Sequence, residues 1–331
     1  MAVALVTGGA GFIGSHVTAE LLRKGHAVVV LDDLSGGQQS NVPRGASFEQ
    51  GSILDEAKIR VLFEKHTFDY VFHLAAYAAE GLSHFIKRFN YQNNLIGSIN
   101  LINASVNYEV KCFVFTSSIA VYGSVPPPMI EETMPLPEDS YGIAKYAVER
   151  ELKISHEMFG LNYIIFRPHN VYGEHQNIGD RYRNVIGIFM NQIMEGQPLT
   201  IFGDGLQTRA FTHIDDVAPV IASAIDVPDA YNQVFNVGAD IPYMVNHLAK
   251  AVMQVMAVQT EVIHLPPRNE VLHAYSDHSK VRRVFGCRTP TSLEDGLRRM
   301  AAWAKVVGVR RSKRFEAIEI LKNLPSSWLK E

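Results

Sequence analysis

The chain has 331 residues, an apolar fraction of 47% and a formal net charge of −3, with 31 Lys and Arg against 34 Asp and Glu mixed along its length. That length can bury a large core as one big domain or two modest ones, and the charge balance lacks the basic excess that binding to a nucleic-acid phosphate backbone needs. No apolar window approaches the ~18 residues of a membrane span, no leader pattern opens the sequence, and Cys112 and Cys287 form no Cys-x-x-Cys pair, so the expectation is a cytoplasmic protein with core thiols that binds a small molecule and neither nucleic acid nor membrane.

Residues 2–7 are a short apolar run that leads at once into Gly8-Gly9-Ala10-Gly11-Phe12-Ile13-Gly14 and a helical pattern through residue 24. In this strand, turn and helix, Gly8 permits the tight turn, Gly11 lets backbone amides approach a pyrophosphate, and Gly14 lets helix and strand pack closely; Phe12 and Ile13 count with them as cofactor contacts. The next strand, residues 27–31, ends in Asp32, at the distance where a carboxylate accepts hydrogen bonds from an adenosine ribose. An acid there repels a 2′-phosphate, so NAD is expected rather than NADP. Residues 55–65 read as a helix and 70–76 as a buried strand opening into Leu74, Ala75 and Ala76, across whose end the dinucleotide should lie. His73 and His84 read as structural, because no partner accompanies them at metal-ligand spacing, and no metal is expected.

Residues 89–108 predict a long amphipathic helix carrying Asn93 and Asn94, and 112–117 a strand whose end delivers Ser117 and Ser118. Asp139 and Ser140 are good N-cap residues for a helix that stops at Gly160, and Tyr141 and Lys145, four apart, share one of its faces. A phenol acts as a base near neutral pH only if its ordinary value near ~10 falls by about three units, roughly 4 kcal/mol, and an adjacent ammonium can help supply that. Residues 163–167 give one more strand. Beyond it come Asn170, a polar stretch with Arg181 and Arg183, a helix, and the run from Gly203 to Arg209, all candidates for substrate contact. Residues 234–238 look like a strand returning to the sheet, and 246–256 and 293–307 are helical. The tail has a basic cluster from Arg310 and then an apolar-periodic run, Phe315, Ile318, Ile320, Leu321, Leu324 and Trp328, which predicts a packed or partner-facing helix.

Strands alternating with helices on this scale predict an α/β fold, a doubly wound parallel sheet of Rossmann-like type with right-handed crossovers and a smaller C-terminal substrate-binding domain. The expected division is residues 1–167 for the dinucleotide domain, with returning segments around 205–238, then 168–204 and 239–307 for the substrate domain, and 308–331 as a tail.

With Gly8, Gly11, Gly14, Asp32, the run Ser117-Ser118-Ile119-Ala120-Val121-Tyr122-Gly123 and Tyr141-x-x-x-Lys145 in this order, the chain resembles the extended short-chain dehydrogenase/reductases, in particular the NAD-dependent sugar-nucleotide epimerase/dehydratase family. The resemblance covers residues 3–307 and is closest in motifs to the UDP-hexose 4-epimerases. It implies that Ser118 bonds the reacting hydroxyl, that Tyr141 is the base, and that Lys145 holds the nicotinamide ribose and lowers the tyrosine pKa. It implies cofactor contacts at Ile53 and at Asn94, with Asn93 one residue away as the alternative, nucleotide-diphosphate contacts at Asn170 and Arg209, and a substrate contact at Arg268. Ser52 stands where many relatives carry an aspartate against the adenine. The dehydratases' Asp-Glu pair is replaced by Ile119-Ala120, and Ala120 also takes the place of the GDP-mannose 3,5-epimerase cysteine. The resemblance further implies a homodimer through the helices of residues 89–108 and 140–159. For the sugar it leaves two readings open: Ala274 as a small gate with room for an N-acetyl group, though Tyr275 adjoins it, and Arg181 and Arg183 opposite a uronate carboxylate. UDP-glucuronate stands slightly ahead. A GDP-mannose 3,5-epimerase-like or other sugar-nucleotide oxidoreductase and a non-catalytic nucleotide sensor on the same fold are the alternatives.

Overall fold

The computed structural model describes residues 1–268, 270–286, 289–311 and 315–328; Cys287 lies outside them, while Cys112 is buried. The first half alternates much as the apolar periodicity predicts, with β3 and α3 added to the expected elements: β1 (Val3–Thr7), α1 (Phe12–Arg23), β2 (Ala27–Asp32), β3 (Ser47–Gln50), α2 (Glu56–Lys65), β4 (Tyr70–His73), α3 (Glu80–Ser83), α4 (Lys87–Tyr91), α5 (Gly97–Asn107), β5 (Cys112–Thr116), α6 (Ser140–Phe159) and β6 (Tyr163–Pro168). Asp55 caps α2 by accepting from the Lys58 amide, Asp139 caps α6 from Gly142, and Gly160 ends α6 in the left-handed conformation, as their side chains dictate. The long helix predicted over 89–108 is interrupted: a π turn, Gln92–Ile96, joins α4 to α5. Such a wide turn holds an extra residue and rotates the helix beyond it, frequently at functional sites.

The second half holds β7 (Val171–Tyr172), α7 (Val185–Met194), β8 (Leu199–Phe202), β9 (Thr208–Ala210), β10 (Thr212–His213), α8 (Ala218–Ser223), β11 (Gln233–Val237), β12 (Pro242–Met244), α9 (Val245–Met256), β13 (Val262–Leu265), β14 (His273–Ala274), α10 (Ser279–Phe285) and α11 (Leu293–Val307). The main sheet has seven strands in the order β11-β6-β5-β4-β1-β2-β3, every pair parallel. The order reverses between β1 and β4, and in an open sheet of this kind ligands bind outside the carboxyl ends at such a switch. One core cluster packs α1 and α8 on one face of the sheet and a second packs α2, α5 and α6 on the other. A third, separate cluster holds α7, α9 and α11 together. Thr208–Ala210 pairs with β12 and β14 in a small sheet, so the chain returns to the main sheet at β11, later than residue 205.

The tail departs from expectation. Apart from a single turn at Ser326–Trp328, its described residues form no helix. They run as a strap whose Phe315, Ile318, Leu324 and Trp328 join a cluster with Leu82, Ile86 and Tyr182, while Ile320 and Leu321 face outward. The apolar spacing is satisfied by packing against two other segments in turn, so helical periodicity is not required of it.

Candidate active site

A cavity of ≈ 1160 Å³ opens along the carboxyl ends of the main sheet and under the second half of the chain. Single-ligand pockets are roughly 300–1,000 Å³, so there is room for more than one ligand. At one end the wall is backbone. Gly8 takes a φ of +71°, and a Cβ built on it would meet the Ala75 nitrogen at 2.7 Å; one built on Gly14 would lie 2.1 Å from the Gly8 carbonyl. Side chains are thereby excluded from the turn, and Gly11, the N-cap of α1, offers no side-chain cap, so the first amides of α1 are left for a ligand, as a helix N-terminus is for a phosphate. Asp32 accepts from the Ala10 amide (3.0 Å) and the Leu34 amide (2.8 Å). Burial raises its carboxyl above the ordinary carboxylate range. Each oxygen keeps a lone pair for a ribose hydroxyl. Phe12, Ile13, Ile53, Leu74, Ala75 and Ala76 line this end. This cradle fits a dinucleotide.

Ser52 is not on the wall. Its hydroxyl and carbonyl take the Leu54 and Asp55 amides and form the turn that caps α2, leaving Gly51 and Ile53 to face the cavity. The π turn settles the asparagine register in the same way. Asn93 lines the cavity, whereas Asn94 is buried and bonds both the amide (2.9 Å) and the carbonyl (3.1 Å) of Tyr77, and Asn90 besides. Asn94 fixes the loop after β4 and is not on the cavity wall.

Mid-cavity stand Ser118, Tyr141 and Lys145. Tyr141 is hydrogen-bonded to Ser118, which opposes but does not overcome the rise in its pKa that burial and the nearby Glu80 produce. The expected lowering by Lys145 is not what the structure shows. The Lys145 amine donates to the Thr116 carbonyl at 2.8 Å and lies 4.7 Å over the Phe115 ring, farther from the Tyr141 ring at 5.8 Å. Burial lowers its pKa to about 7, against the opposing charge of Glu149 one turn on. Glu149 is itself locked in: it pairs with buried Arg167 through both oxygens and accepts from Ser117. A buried pair of this kind fixes geometry even where it adds little stability.

At the far end the wall is built of side chains. Arg209 donates to the carbonyls of Thr208, Val271 and Leu272 and lies 3.8 Å from Glu270. Arg268 pairs with Glu270 at 2.9 Å and stacks 4.7 Å from the Phe202 ring centroid. Asn170, at φ +41°, also faces in, as does Arg181. Arg183 is paired with Asp180 at 2.7 Å and lies over Tyr77, next to Gly36 in the loop after Asp32. Ala274 is off the wall and packs with Ile119, Val121, Tyr122 and Met129, whereas Glu270 and Val271 line the cavity.

Sequence reasoning missed Glu80. Its side chain is exposed to the cavity rather than sealed in the core, and the enclosing walls together with Asp139 raise its carboxyl to about 7, opposed by Arg209 and Arg268. Its charge acts on Tyr141, and those of the two arginines act on it. An acid five residues after the small-residue end of β4 was the available signal. His169, on the wall beside Asn170, is buried, bonds the Ala210 carbonyl and His278, and falls to about 3 by burial and the neighbouring imidazole, so it is a neutral structural side chain. Among the described residues no group of three or more His, Cys, Asp or Glu is placed to hold a metal ion, and no helix is long and apolar enough to cross a membrane.

The sheet order, the glycine cradle and the tyrosine–lysine helix together define a dinucleotide-dependent enzyme of the doubly wound α/β class. The profile of the NAD dependent epimerase/dehydratase family matches residues 4–238, and the chain belongs to that family. It is therefore an NAD-dependent enzyme. A UDP-glucose 4-epimerase of Thermotoga maritima, solved with UDP-glucose, shares 36% identity and superimposes with a TM-score of 0.88 over 92% of this chain and 99% of its own. A UDP-glucuronic acid 4-epimerase of Bacillus cereus, solved with UDP-glucuronic acid and NAD, shares 28% identity and a TM-score of 0.85 over 92% of this chain and 99% of its own. The UDP-glucose 4-epimerase of Mycolicibacterium smegmatis is 32% identical over 317 residues, 93% of this chain and 98% of that one.

Proposed function

We propose that the protein is a UDP-hexose 4-epimerase. The observation that carries this is a single cavity holding a buried tyrosine with a serine partner, and, beyond it, two arginines where a diphosphate would sit, with only apolar Ile119 and Ala120 in the place of the elimination pair. Bound NAD supplies an acceptor that takes a hydride from carbon 4 and returns it, together with the positive charge of its oxidised ring. Tyr141 takes the proton of the 4-hydroxyl and gives it back, Ser118 holds that hydroxyl in line, and Lys145 holds the ribose hydroxyls and, when protonated, favours the phenolate. Arg209 and Arg268 hold the diphosphate, a task for which planar guanidinium groups suit better than ammonium.

For the sugar, the geometry favours a neutral hexose over the uronate that Arg181 and Arg183 suggest. Arg183 is committed to Asp180 and sits by the adenosine-side loop, whereas Glu80, an acid, faces the space next to Tyr141. A sugar carboxylate there meets like charge, and sugar hydroxyls meet an acceptor. The N-acetyl reading loses its motive with Ala274 off the wall. Glu80 also supports a second reading, a further proton transfer on the oxidised sugar, since a carboxyl near 7 is suited to acid–base work. Incubation with UDP-glucose, UDP-N-acetylglucosamine and UDP-glucuronate, with products read by proton NMR, separates these. Inversion at carbon 4 alone, fastest on UDP-glucose, is expected; elimination products or no reaction would count against the proposal. NAD released on denaturing the purified protein is expected as well.

A homodimer is part of the proposal. Ile96, Ile143, Ile154 and Met158 are exposed on the helical segments of residues 87–107 and 140–159, which pack side by side. A monomer by light scattering at working concentration removes it.

A further inference from the structure

The tail, described over residues 310–311 and 315–328, borders the cavity through residues 310, 311 and 315–317 and is fixed to both halves of the chain. At its start the Arg310 amide donates to the Asn191 side chain and the Arg310 carbonyl accepts from it, both at 2.9 Å, and the Arg310 side chain packs within 2.8 Å of where a Cβ on Gly179 would stand. Arg310 also borders a small recess shared with Gly36 and Gln38, the loop after Asp32. In the middle the Phe315 ring lies 4.8 Å from Phe89 and 5.4 Å from Tyr77, and its amide donates to the Tyr182 hydroxyl at 3.0 Å. The Glu319 carboxylate accepts from the Arg88 and Phe89 amides at 2.9 Å each, while its own amide donates to the Phe85 carbonyl at 2.8 Å. At the far end Trp328 is buried against Tyr182 and Phe202. Arg310, Arg311, Phe315, Glu316 and Ala317 face the cavity interior.

Chain termini ordinarily fray unless tied down. This one is tied to the dinucleotide half through Phe85, Arg88 and Phe89 and to the other half through Asn191, Tyr182 and Phe202, so it bridges the two across the ligand space. A strap so tied hinders the exit of a ligand as long as a dinucleotide that lies against it. We propose that the strap is the outer wall of the cofactor and substrate site and that it retains NAD from one turnover to the next. A cycle that returns its hydride needs no cofactor exchange, so retention costs the enzyme nothing in rate and keeps the oxidised sugar beside the reduced cofactor. This inference rests on the epimerase reading only for its sugar arm.

The test is the rate at which bound NAD exchanges with labelled NAD, a readout that does not depend on the sugar or on turnover. It is measured in the full chain, in the Phe315→Ala/Glu319→Gln double variant, and in a chain ended after Arg311. No described residue beyond Ala304 belongs to the three larger core clusters, so the shortened chain keeps its cores, which the thermal midpoint checks. Exchange at least tenfold faster in the shortened chain, and intermediate in the double variant, is expected, with faster amide hydrogen exchange at Phe315, Glu319 and Ile320 in the double variant. In the presence of a turned-over sugar nucleotide the shortened chain should also accumulate reduced cofactor and free keto-sugar. Equal NAD exchange in the full and shortened chains overturns the strap's role while leaving the epimerase reading intact. Faster exchange in the shortened chain, when the full chain itself turns over no sugar nucleotide, upholds the strap and removes the epimerase reading.

Discussion

At the cofactor end of the cavity the wall is main chain: a glycine turn, the start of α1 and the loop after β4, held by contacts that no Cβ could enter. At the sugar end the wall is side chain, brought together from the start of α3, the β8–β9 region, the loop after β13 and the strap. The first kind of wall is set by local chain geometry and accepts any side chain that points away from it. The second depends on charges and packing between segments more than a hundred residues apart, and changing one member changes what binds. Chemistry sits where the two meet, at Ser118, Tyr141 and Lys145, anchored from below by the Glu149–Arg167 pair.

That contrast predicts a separation of effects. Tyr141→Phe should cut turnover on the order of 10³-fold, within the range for loss of a positioned proton-transfer group, while NAD content of the purified variant and affinity for UDP stay near wild type, because the ring still packs and the cradle is untouched. Loss of NAD together with activity would show that the two ends are not separable. Ser118→Ala should cost about 10²-fold in turnover, again with NAD retained; its hydroxyl also accepts from the Ala120 amide (3.1 Å), so a drop in thermal midpoint larger than a few degrees would assign it a structural part instead.

The same contrast explains what was legible in the sequence. Gly8, Gly14, Asp32, Tyr141 and Lys145 lie within short motifs whose spacing is fixed by a turn or a helical face, and the structure brings all five to the cavity. The parallel, doubly wound character of the sheet follows from alternating strand and helix patterns, whereas the edge strand Ser47–Gln50, joined to β2 without a helix, was not legible in them. What escaped was set by non-local geometry. A π turn rotated Asn93 inward and Asn94 away, and no sequence pattern marks such a turn. Ala274 sits off the wall on which a count from Asp277 places it, because β14 pairs with β9 and Ala274 packs with Ile119, Val121, Tyr122 and Met129. Lys145 turned to the Thr116 carbonyl, a partner that only the packing of α6 against the end of β5 supplies. In the strap, apolar residues spaced like a helix are shared between two packing partners, which periodicity alone cannot distinguish.

At the sugar end, Arg209→Ala should weaken UDP binding between about 10- and 100-fold, the range for losing charged hydrogen bonds of roughly 1.5–3 kcal/mol, with NAD content unchanged. Arg209→Lys should recover little of it, since a lysine cannot span the Thr208, Val271 and Leu272 carbonyls and a phosphate at once. Calorimetry with UDP reads both. Equal affinity in wild type and Arg209→Ala would move the diphosphate elsewhere in the cavity.

The smallest effect discriminates most finely. Glu80 is raised to about 7 from the ordinary carboxylate range, so it is mostly neutral at about pH 6 and mostly charged at about pH 8. If a sugar hydroxyl faces it, ionisation strengthens the hydrogen bond it accepts by about 1 kcal/mol, or roughly fivefold in affinity, and UDP-glucose should bind more tightly as pH rises through this window. If a sugar carboxylate faces it, ionisation adds like charge and UDP-glucuronate should bind more weakly over the same window. Lys145, also near 7, titrates in this range and acts on the chemical step, so the measurement belongs in the Tyr141→Phe background, where binding is read without turnover. Glu80→Gln then removes the part of the pH dependence that Glu80 owns and leaves any contribution of Lys145 in place. A rise for UDP-glucose and a fall for UDP-glucuronate, both flattened in Glu80→Gln, place the hexose between Tyr141 and Glu80. Identical pH profiles with and without the carboxyl put the sugar out of its reach, and the preference for a neutral hexose falls with it.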